Sequence, residues 1–303
     1  MQERIVRIIF ATTGGPLALD SLTALACDHQ IAAVVLPEGG WRARAAGMVR
    51  RRPALGDDAA AWSAQRGIPV IRCASRRDPR LLQGLARLAP DLLCVALFPW
   101  VLPAEVLQFP ARGVVNLHPS LLPRHRGANP FFWTYYHDDR ETGITLHVAT
   151  ARADSGPILA QRRWPLARGL PVEQAYLQAS AAGGDLFRIG LIALANGISP
   201  VEQDETSATR APSVRPGMAM VAFDSWSAER VWHFLAGMCG RFHEPLLDER
   251  GRPVQYRSVH GYDVMDPLER PGIVTRGDHG WELWCRDGRV HLSAVAAGRA
   301  APA

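Results

Sequence analysis

The hydrophobic positions in the first part of the chain fall into short continuous runs separated by stretches with helical periodicity. Five of these runs predict strands, at residues 5–11, 31–36, 68–73, 91–98 and 113–118. Strands that are apolar on both faces and alternate with helices are typical of a parallel sheet covered by helices on both sides. The pattern therefore predicts an α/β fold with a Rossmann-like, mostly parallel sheet.

The pattern changes further along the chain. Residues 142–150 and 156–166 predict two more strands, and residues 171–195 predict a long helix. The next stretch is polar and has prolines at positions 200, 212 and 216, which is typical of a linker. One helix and several short strands then predict a small, mostly β, OB-like C-terminal domain. The predicted divisions are a first domain at 1–197, a linker at 198–216 and a C-terminal domain at 217–303.

Composition limits the class of protein. The chain has 303 residues, 48% of them hydrophobic, which is enough for a sizeable core. It contains no run of about 18 apolar residues, and its start lacks the pattern of a signal peptide, so we expect a cytoplasmic protein that does not span a membrane. The net charge of +5 permits an anionic partner without requiring one. The five cysteines include no C-x-x-C pair, so we expect neither a disulfide framework nor a metal site.

Polar side chains stand at the end of the fifth predicted strand. Asn116 and His118 have the same parity, so both can point to one face of the sheet. An amide can stabilise a developing oxyanion and an imidazole can move a proton, which suits acyl transfer. Asp154 lies in the string "ADSGPIL", where a carboxylate could orient His118. A strand-end Asn that closes a turn, a buried structural His and a plain Asx turn would explain the same spacings.

In their order, "VVNLHPSLLPRHRGANP" and "TGITLHVATARADSGPIL" resemble the formyltransferase family that uses 10-formyltetrahydrofolate. That family includes methionyl-tRNA formyltransferase, glycinamide ribonucleotide formyltransferase and the sugar N-formyltransferases. The resemblance covers residues 4–195 and implies a catalytic set of Asn116, His118 and Asp154, with no metal. It implies that Asn116 stabilises the tetrahedral oxyanion, His118 takes or relays the amine proton, and Asp154 holds His118 and helps to pass a proton to the departing folate nitrogen.

The resemblance also implies where the folate donor lies, between the loop after the fourth strand and the loop before Asp154. The cofactor-binding residues predicted in this way are Phe98, Pro99, Trp100, Val101, Leu102, Ala149, Thr150 and Arg152. An apolar slot with backbone hydrogen-bonding groups suits a flat pterin. The family's acidic, glycine-containing string before the Asp is replaced here by "ATARAD". This departure leaves open whether the donor preference is changed.

Two features bear on the acceptor amine. The basic stretch "GGWRARAAGMVRRRP" contains Arg50 and Arg51, and methionyl-tRNA formyltransferases have a basic loop in a similar place. Such a cluster would suit tRNA phosphates, a nucleotide sugar, a coenzyme A thioester or an acidic carrier, and it would equally suit a solvated surface loop. The string "ANPFFW" resembles formyltransferases that act on sugars and other small amines, although a helix packed on the sheet would also be aromatic. The remaining predicted acceptor-binding residues are Arg124, Arg126, Asn129 and Phe132.

The preferred hypothesis is an N-formyltransferase that acts on a small-molecule or carrier-bound amine. We expect this acceptor to be anionic, and tRNA is possible but not preferred. Methionyl-tRNA formyltransferase is the first alternative. The string "FDSWSAERVWHFLAGM" resembles the helix that begins the C-terminal domain of that enzyme. A hydrolase that releases formate is the second alternative. A non-catalytic binding module is the third.

Overall fold

The computed structural model describes residues 5–38, 56–266, 270–278 and 280–294. The chain divides into two compact units, and both are built from more than one segment. The first unit comprises residues 1–130, 141–164 and 176–213, and the second comprises residues 131–140, 165–175 and 214–303.

The first unit contains a seven-stranded sheet in the order β3-β2-β1-β4-β5-β6-β7. Its strands are β1 (Arg7–Thr12), β2 (Gln30–Pro37), β3 (Val70–Cys73), β4 (Leu92–Ala96), β5 (Val114–His118), β6 (Glu141–Val148) and β7 (Ile158–Pro165). Strands β1 to β5 pair in parallel, and β6 runs antiparallel to β5. The predicted α/β fold with a mostly parallel sheet is therefore confirmed.

Helices alternate with these strands along the chain, as the alternation of apolar runs and helical patterns predicts. In the first unit they are α1 (Pro16–Asp28), α2 (Asp57–Gln65), α3 (Pro79–Leu88), α4 (Ala104–Leu107) and most of α6 (Val172–Ala195). Helix α5 (Pro130–Tyr136) belongs to the second unit except for Pro130. Helix α3 shows how the sequence sets a boundary: Asp78 accepts a hydrogen bond from the Arg80 N–H, and Pro79 begins the helix. Strand residues such as Ile9, Val35 and Leu93 are fully buried in the core.

The stretch predicted as a linker has a different place in the structure. Residues 198–213 belong to the first unit. Val201 forms a β-bridge with Ile158, and Gln203 is buried. The polar composition that suggested a linker is explained by hydrogen bonds to the loops at the end of β5 and before β7. The division at 1–197, 198–216 and 217–303 therefore differs from the compact units, and it remains a prediction as a division into folding domains.

The second unit contains a six-stranded, mostly antiparallel sheet in the order β10-β13-β12-β11-β8-β9. Its strands are β8 (Leu246–Asp248), β9 (Pro253–Val254), β10 (Tyr256–Val264), β11 (Ile273–Gly277), β12 (Gly280–Cys285) and β13 (Gly288–Ala294). Strand β8 pairs in parallel with β11. The mostly β character of this part of the chain is confirmed, and its likeness to an OB fold remains a prediction.

Contacts between aromatic side chains hold together the helical part of the second unit. Helix α7 (Ala228–Met238) begins at Ser227, whose hydroxyl accepts a hydrogen bond from the Arg230 N–H. The Phe132 ring on α5 lies 5.4 Å from that of Phe234 and 5.2 Å from that of Phe242, centroid to centroid, in edge-on contacts. This geometry is favoured between aromatic rings. The aromatic run of α5 is therefore part of the core of the second unit.

Candidate active site

Polar groups converge at the carboxyl end of β5. Asn116 lies opposite Val95 of the parallel strand β4 and opposite His147 of the antiparallel strand β6. His118, two residues later, is 5% exposed. In sheets of this kind, ligands bind outside the carboxyl ends of the parallel strands. The change from parallel to antiparallel pairing therefore brings one more polar side chain, His147, to the expected position of a site.

The imidazole of His118 has a defined tautomer. Its Nε2 atom lies 2.9 Å from the backbone carbonyl oxygen of His125. Because a carbonyl only accepts, Nε2 carries the hydrogen, and Nδ1 has the lone pair. Nδ1 faces Oδ1 of Asp154 at 3.5 Å. Burial lowers the pKa of His118 below its ordinary value, although the Asp154 carboxylate opposes this shift. His118 is therefore a neutral base at pH 7, and a carboxylate stands ready to stabilise its protonated form.

Asp154 is ionised and held by several donors. Its Oδ2 accepts a hydrogen bond of 2.9 Å from the Gly127 N–H, and its Oδ1 accepts one of 3.2 Å from Nδ2 of Asn116. Burial raises the pKa of this carboxyl, but the positive charges that His118 and His147 carry when protonated and the hydrogen bond from the Gly127 N–H outweigh burial and bring the pKa to about 2. Gly127 has φ +129°, and a Cβ there would stand 2.7 Å from the carbonyl oxygen of Ala211. This position therefore requires glycine.

His147 also lies at this site, beside Asn116 and Asp154, and no motif in the sequence indicated it. Its Nδ1 lies 2.9 Å from the carbonyl oxygen of Val148, so Nδ1 carries the hydrogen and Nε2 accepts. The Nδ2 atom of Asn116 lies 3.1 Å from Nε2 of His147. Both amide hydrogens of Asn116 are therefore engaged, one with His147 and one with Asp154. The pairing of His147 with Asn116 depends on the register of β6 against β5, which strand parity alone does not fix.

A second group of side chains lies behind Asp154. Gln203 donates hydrogen bonds from Nε2 to the carbonyl oxygens of Asp154, at 3.0 Å, and Gly156, at 2.6 Å. The guanidinium of Arg126 donates to Oε1 of Gln203 and to the carboxylate of Glu205. Gln203 gave no signal in the sequence, because it lies in the stretch predicted as a linker.

The predicted cofactor residues lie on two loops of the first unit. Phe98, Trp100 and Ala149 are partly buried against the core, and the rings of Phe98 and Trp100 meet edge-on at 5.2 Å. Leu102 is buried, Val101 is exposed and Pro99 is intermediate. In the "ATARAD" loop, the Thr150 hydroxyl bonds to Arg152 O and Ser155 Oγ. The Arg152 guanidinium pairs with Glu205 at 3.3 Å. The role of these residues in cofactor binding remains a prediction.

The predicted acceptor residues are in different environments. Arg124 is exposed, and Asn129 is half-buried, with its N–H bonded to the carbonyl oxygen of Ala211. Two of the predicted acceptor residues are buried. Arg126 is hydrogen-bonded to Gln203 and Glu205, and Phe132 packs against other aromatic rings. For these two residues the structure shows packing and pairing, while substrate binding stays untested. Arg50 and Arg51 lie outside the described residues.

The described part of the chain lacks both a metal-binding cluster and a membrane-spanning helix. In residues 5–38, 56–266, 270–278 and 280–294, no group of three or more His, Cys, Asp or Glu side chains could hold a metal ion. In the same residues, no helix has the length and hydropathy needed to cross a membrane.

The arrangement combines three functions that acyl transfer needs. His118 can accept a proton at Nδ1, Asp154 can stabilise the imidazolium that results, and Asn116 can donate a hydrogen bond to a developing oxyanion. A reacting carbonyl would have to exchange places with one of the present acceptors of Asn116. Such hydrogen bonds often tighten only when substrate is bound.

Comparison with known proteins identifies similar chains. The family model described as formyl transferase matches residues 6–186. The methionyl-tRNA formyltransferase of Moorella thermoacetica is 32% identical over 295 residues, which cover 96% of this chain and 91% of that protein. The enzyme of the same name from Myxococcus xanthus is 35% identical over 165 residues, 54% of this chain and 53% of the relative. In this second match, the chain spans about half the length of its relative.

A solved structure extends the similarity over both units. The N-formyltransferase from Helicobacter canadensis, in complex with folinic acid and dTDP-3-aminofucose, superposes with a TM-score of 0.69 and 14% identity. The match covers 96% of this chain and 99% of that chain. At this identity the similarity concerns the fold.

Proposed function

Because the chain belongs to the formyl transferase family, whose members transfer one-carbon groups, we propose that it moves a formyl group from 10-formyltetrahydrofolate to an amine. The acceptor in this proposal is a small-molecule or carrier-bound amine, in a cytoplasmic location. The observation that carries the proposal is the convergence of Asn116, His118 and Asp154, with His118 Nδ1 3.5 Å from the Asp154 carboxylate.

The proposed reaction has two steps. The acceptor nitrogen attacks the formyl carbon, a new C–N bond forms, and the carbonyl electrons move to an oxyanion that accepts a hydrogen bond from Asn116. His118 takes the proton released by the amine, and Asp154 stabilises the imidazolium. When the tetrahedral intermediate collapses, the bond between the formyl carbon and the folate nitrogen breaks. The proton held by His118 then reaches the departing nitrogen, so that charge and atoms balance.

The folate donor is supported by two observations. The partly buried rings of Phe98 and Trp100 and the half-buried Ala149 provide apolar surface on the two loops where the family resemblance expects the pterin. The Helicobacter canadensis enzyme was crystallised with folinic acid. The "ATARAD" loop lacks the acidic string of the family, but its Thr150 and Ser155 side chains bond within the loop. We propose that its backbone groups bind the donor.

Methionyl-tRNA formyltransferase is the second candidate. It is favoured by the relative from Moorella thermoacetica, which is similar over 96% of this chain. The structure from Helicobacter canadensis, crystallised with an amino sugar nucleotide, is the corresponding support for a small acceptor. Both kinds of acceptor carry phosphate, so charge alone does not separate them.

One experiment tests the proposal directly. The protein is incubated with 10-formyltetrahydrofolate and a panel of charged initiator tRNA, nucleotide-linked amino sugars, free amino sugars and amino acids, and the products are identified by mass. Formylation of a small amine supports the preferred hypothesis, and formylation of tRNA alone supports the second. Formate release without any acceptor indicates the hydrolase. Absence of transfer to every member, with folate still bound, favours a binding module.

The basic stretch can be tested by the same assay. We expect that replacing Arg50, Arg51 and Arg52 by Gln raises the KM for an anionic acceptor more than the KM for the folate donor. If tRNA is the acceptor, the logarithm of affinity should also fall steeply with the logarithm of salt concentration, and the triple variant should reduce that slope. An unchanged acceptor KM would refute the assignment of these arginines.

A further inference from the structure

Two residues of the site that are not glycine have a left-handed backbone: His125 at φ +60° and Asp154 at φ +52°. Such conformations are unfavourable for residues other than glycine and persist only where the surroundings hold them. Each of the two residues also directs a group at His118. The His125 carbonyl accepts the Nε2 hydrogen bond, and the Asp154 carboxylate faces Nδ1. The orientation of His118 therefore depends on two unusual backbone conformations.

One segment of the chain, residues 201–211, holds both of them. The His125 N–H donates a 2.8 Å hydrogen bond to Oγ1 of Thr209, and the Asp154 carbonyl accepts a 3.0 Å bond from Gln203. The segment is itself bonded along its length to the same loops. Val201 pairs with Ile158, and the Ala211 N–H donates to the Arg126 carbonyl.

The amide of Gln203 can point only one way. Its Oε1 accepts from Nε and Nη2 of Arg126, at 3.0 and 2.8 Å, so its Nε2 must face the carbonyl oxygens of Asp154 and Gly156. The Arg126 side chain is 8% exposed and pairs with Glu205 at 2.9 Å. A buried guanidinium needs such partners. Arg126 thus orients Gln203, and Gln203 holds the backbone of Asp154.

We propose that the segment 201–211 is a positioning element of the catalytic set, acting through Gln203 on Asp154 and through Thr209 on His125. Neither side chain touches the reacting atoms. Both act by fixing the partners of His118. This inference rests on the formyl transfer proposed above, but it also makes a statement about His118 that can be measured without any substrate.

The first test replaces Gln203 by Ala. Because a displacement of about 1 Å at a catalytic group costs about 10²-fold in rate, kcat should fall by about 10- to 10²-fold, while the KM values for donor and acceptor change little. The pKa of His118, followed by NMR titration of the unliganded protein, should fall. The groups that face His118 are Asp154, His125 and His147, and among these side chains the Asp154 carboxylate is the one that raises the pKa.

Two further variants keep the test independent of folding. Gln203→Glu preserves the size of the side chain and its acceptance from Arg126, but the ionised carboxylate cannot donate to Asp154, so it should lose activity as Ala does. Thr209→Val removes the acceptor of the His125 N–H at nearly constant volume, and Thr209→Ser retains it. We expect the Val variant to lose kcat and the Ser variant to keep it. Gln178→Ala is the matched control, because Gln178 is exposed and its Oε1 accepts a hydrogen bond from the indole N–H of Trp164, away from the site.

The outcomes decide between the two proposals. Full activity in Gln203→Glu, or equal activity in Thr209→Val and Thr209→Ser, would overturn the positioning role. A fall in kcat with an unchanged His118 titration would overturn it as well. If even the unaltered protein transfers no formyl group, the function proposed above fails. A lowered His118 pKa in Gln203→Ala but not in Gln178→Ala would still support the positioning of His118.

Discussion

Two neighbouring stretches of the chain, residues 114–126 and helix α5, are both largely buried, but different contacts stabilise them. In the first stretch, the ring nitrogens of His118 face a carbonyl and a carboxylate, and both amide hydrogens of Asn116 have acceptors. In α5, Phe132 contacts other rings at 5.2 and 5.4 Å. Buried polar groups need partners of fixed geometry, whereas buried rings need shape and volume. The polar side chains of residues 114–126 therefore depend on partners from other segments, such as His147 on β6 and Asp154 in the loop before β7. Residues 114–126 are called the polar stretch below, and helix α5 is called the aromatic stretch.

The largest expected effect is the loss of turnover in the polar stretch. His118→Ala should lower kcat for formyl transfer by about 10²- to 10⁴-fold, because the proton acceptor is lost. Asn116→Ala should lower it by about 10²- to 10³-fold, because an oxyanion donor is lost. Circular dichroism should show a folded protein in both cases. His260→Ala, at an exposed position of β10, is the control for removal of a histidine. Near-normal turnover in either site variant would refute the mechanism.

A substitution in the aromatic stretch should lower the stability of the fold, whereas the substitutions in the polar stretch should lower turnover. Phe132→Ala should lower the free energy of unfolding by about 3–5 kcal/mol, because it leaves a cavity between Phe234 and Phe242. Phe132→Leu should cost less, and both are measured by urea denaturation. A Phe132→Ala protein of unchanged stability with a raised acceptor KM would contradict packing as the role of this ring. That result would support the substrate-binding role predicted from the sequence.

A smaller effect is the pH dependence of stability that Asp154 contributes as the partner of Asn116 and His118 in the polar stretch. The pKa of Asp154 lies near 2 in the folded protein, below its ordinary value of 3.8. A depressed carboxyl pKa means that the unfolded chain binds more protons, so this contribution is present above about pH 4 and is lost as the pH falls through 2. The stability advantage of the unaltered protein over Asp154→Asn should narrow by up to about 2 kcal/mol between pH 5 and pH 2. The corresponding difference for Phe132→Leu should not narrow, and a constant advantage over Asp154→Asn would contradict the assigned carboxylate contacts.

Much of the first sheet was predictable because strands buried on both faces leave a continuous apolar run. The run at 113–118 corresponds to β5 at Val114–His118, and the run at 31–36 corresponds to β2 at Gln30–Pro37. The short strand β8 at Leu246–Asp248 was not predicted, because three residues show no periodicity. The membership of α5 in the second unit was also not predictable, since apolar burial is not directional and a sequence does not say which surface an aromatic face will cover.

For the site, the residue types and their order indicated Asn116, His118 and Asp154, and the structure brings these three together. Whether they are catalytic stays a prediction. The supporting residues could not be found in the same way, because their contacts depend on tertiary structure. Gln203 is an ordinary side chain in a proline-containing stretch, and only the path of residues 201–211 places its amide against the Asp154 carbonyl.

The interleaving of the two units along the chain has a consequence for protein engineering. Residues 131–140 and 165–175 belong to the second unit, although they lie within the sequence of the first. In a chimera with a single crossover point between residues 131 and 213, the hydrophobic core of at least one unit would therefore contain residues from both parent proteins. A crossover after residue 197 would also give Gln203 and its partner Arg126 different origins. Recombination of this chain with a relative would therefore need coordinated exchange of all three segments of the second unit, with the last junction after Ser213.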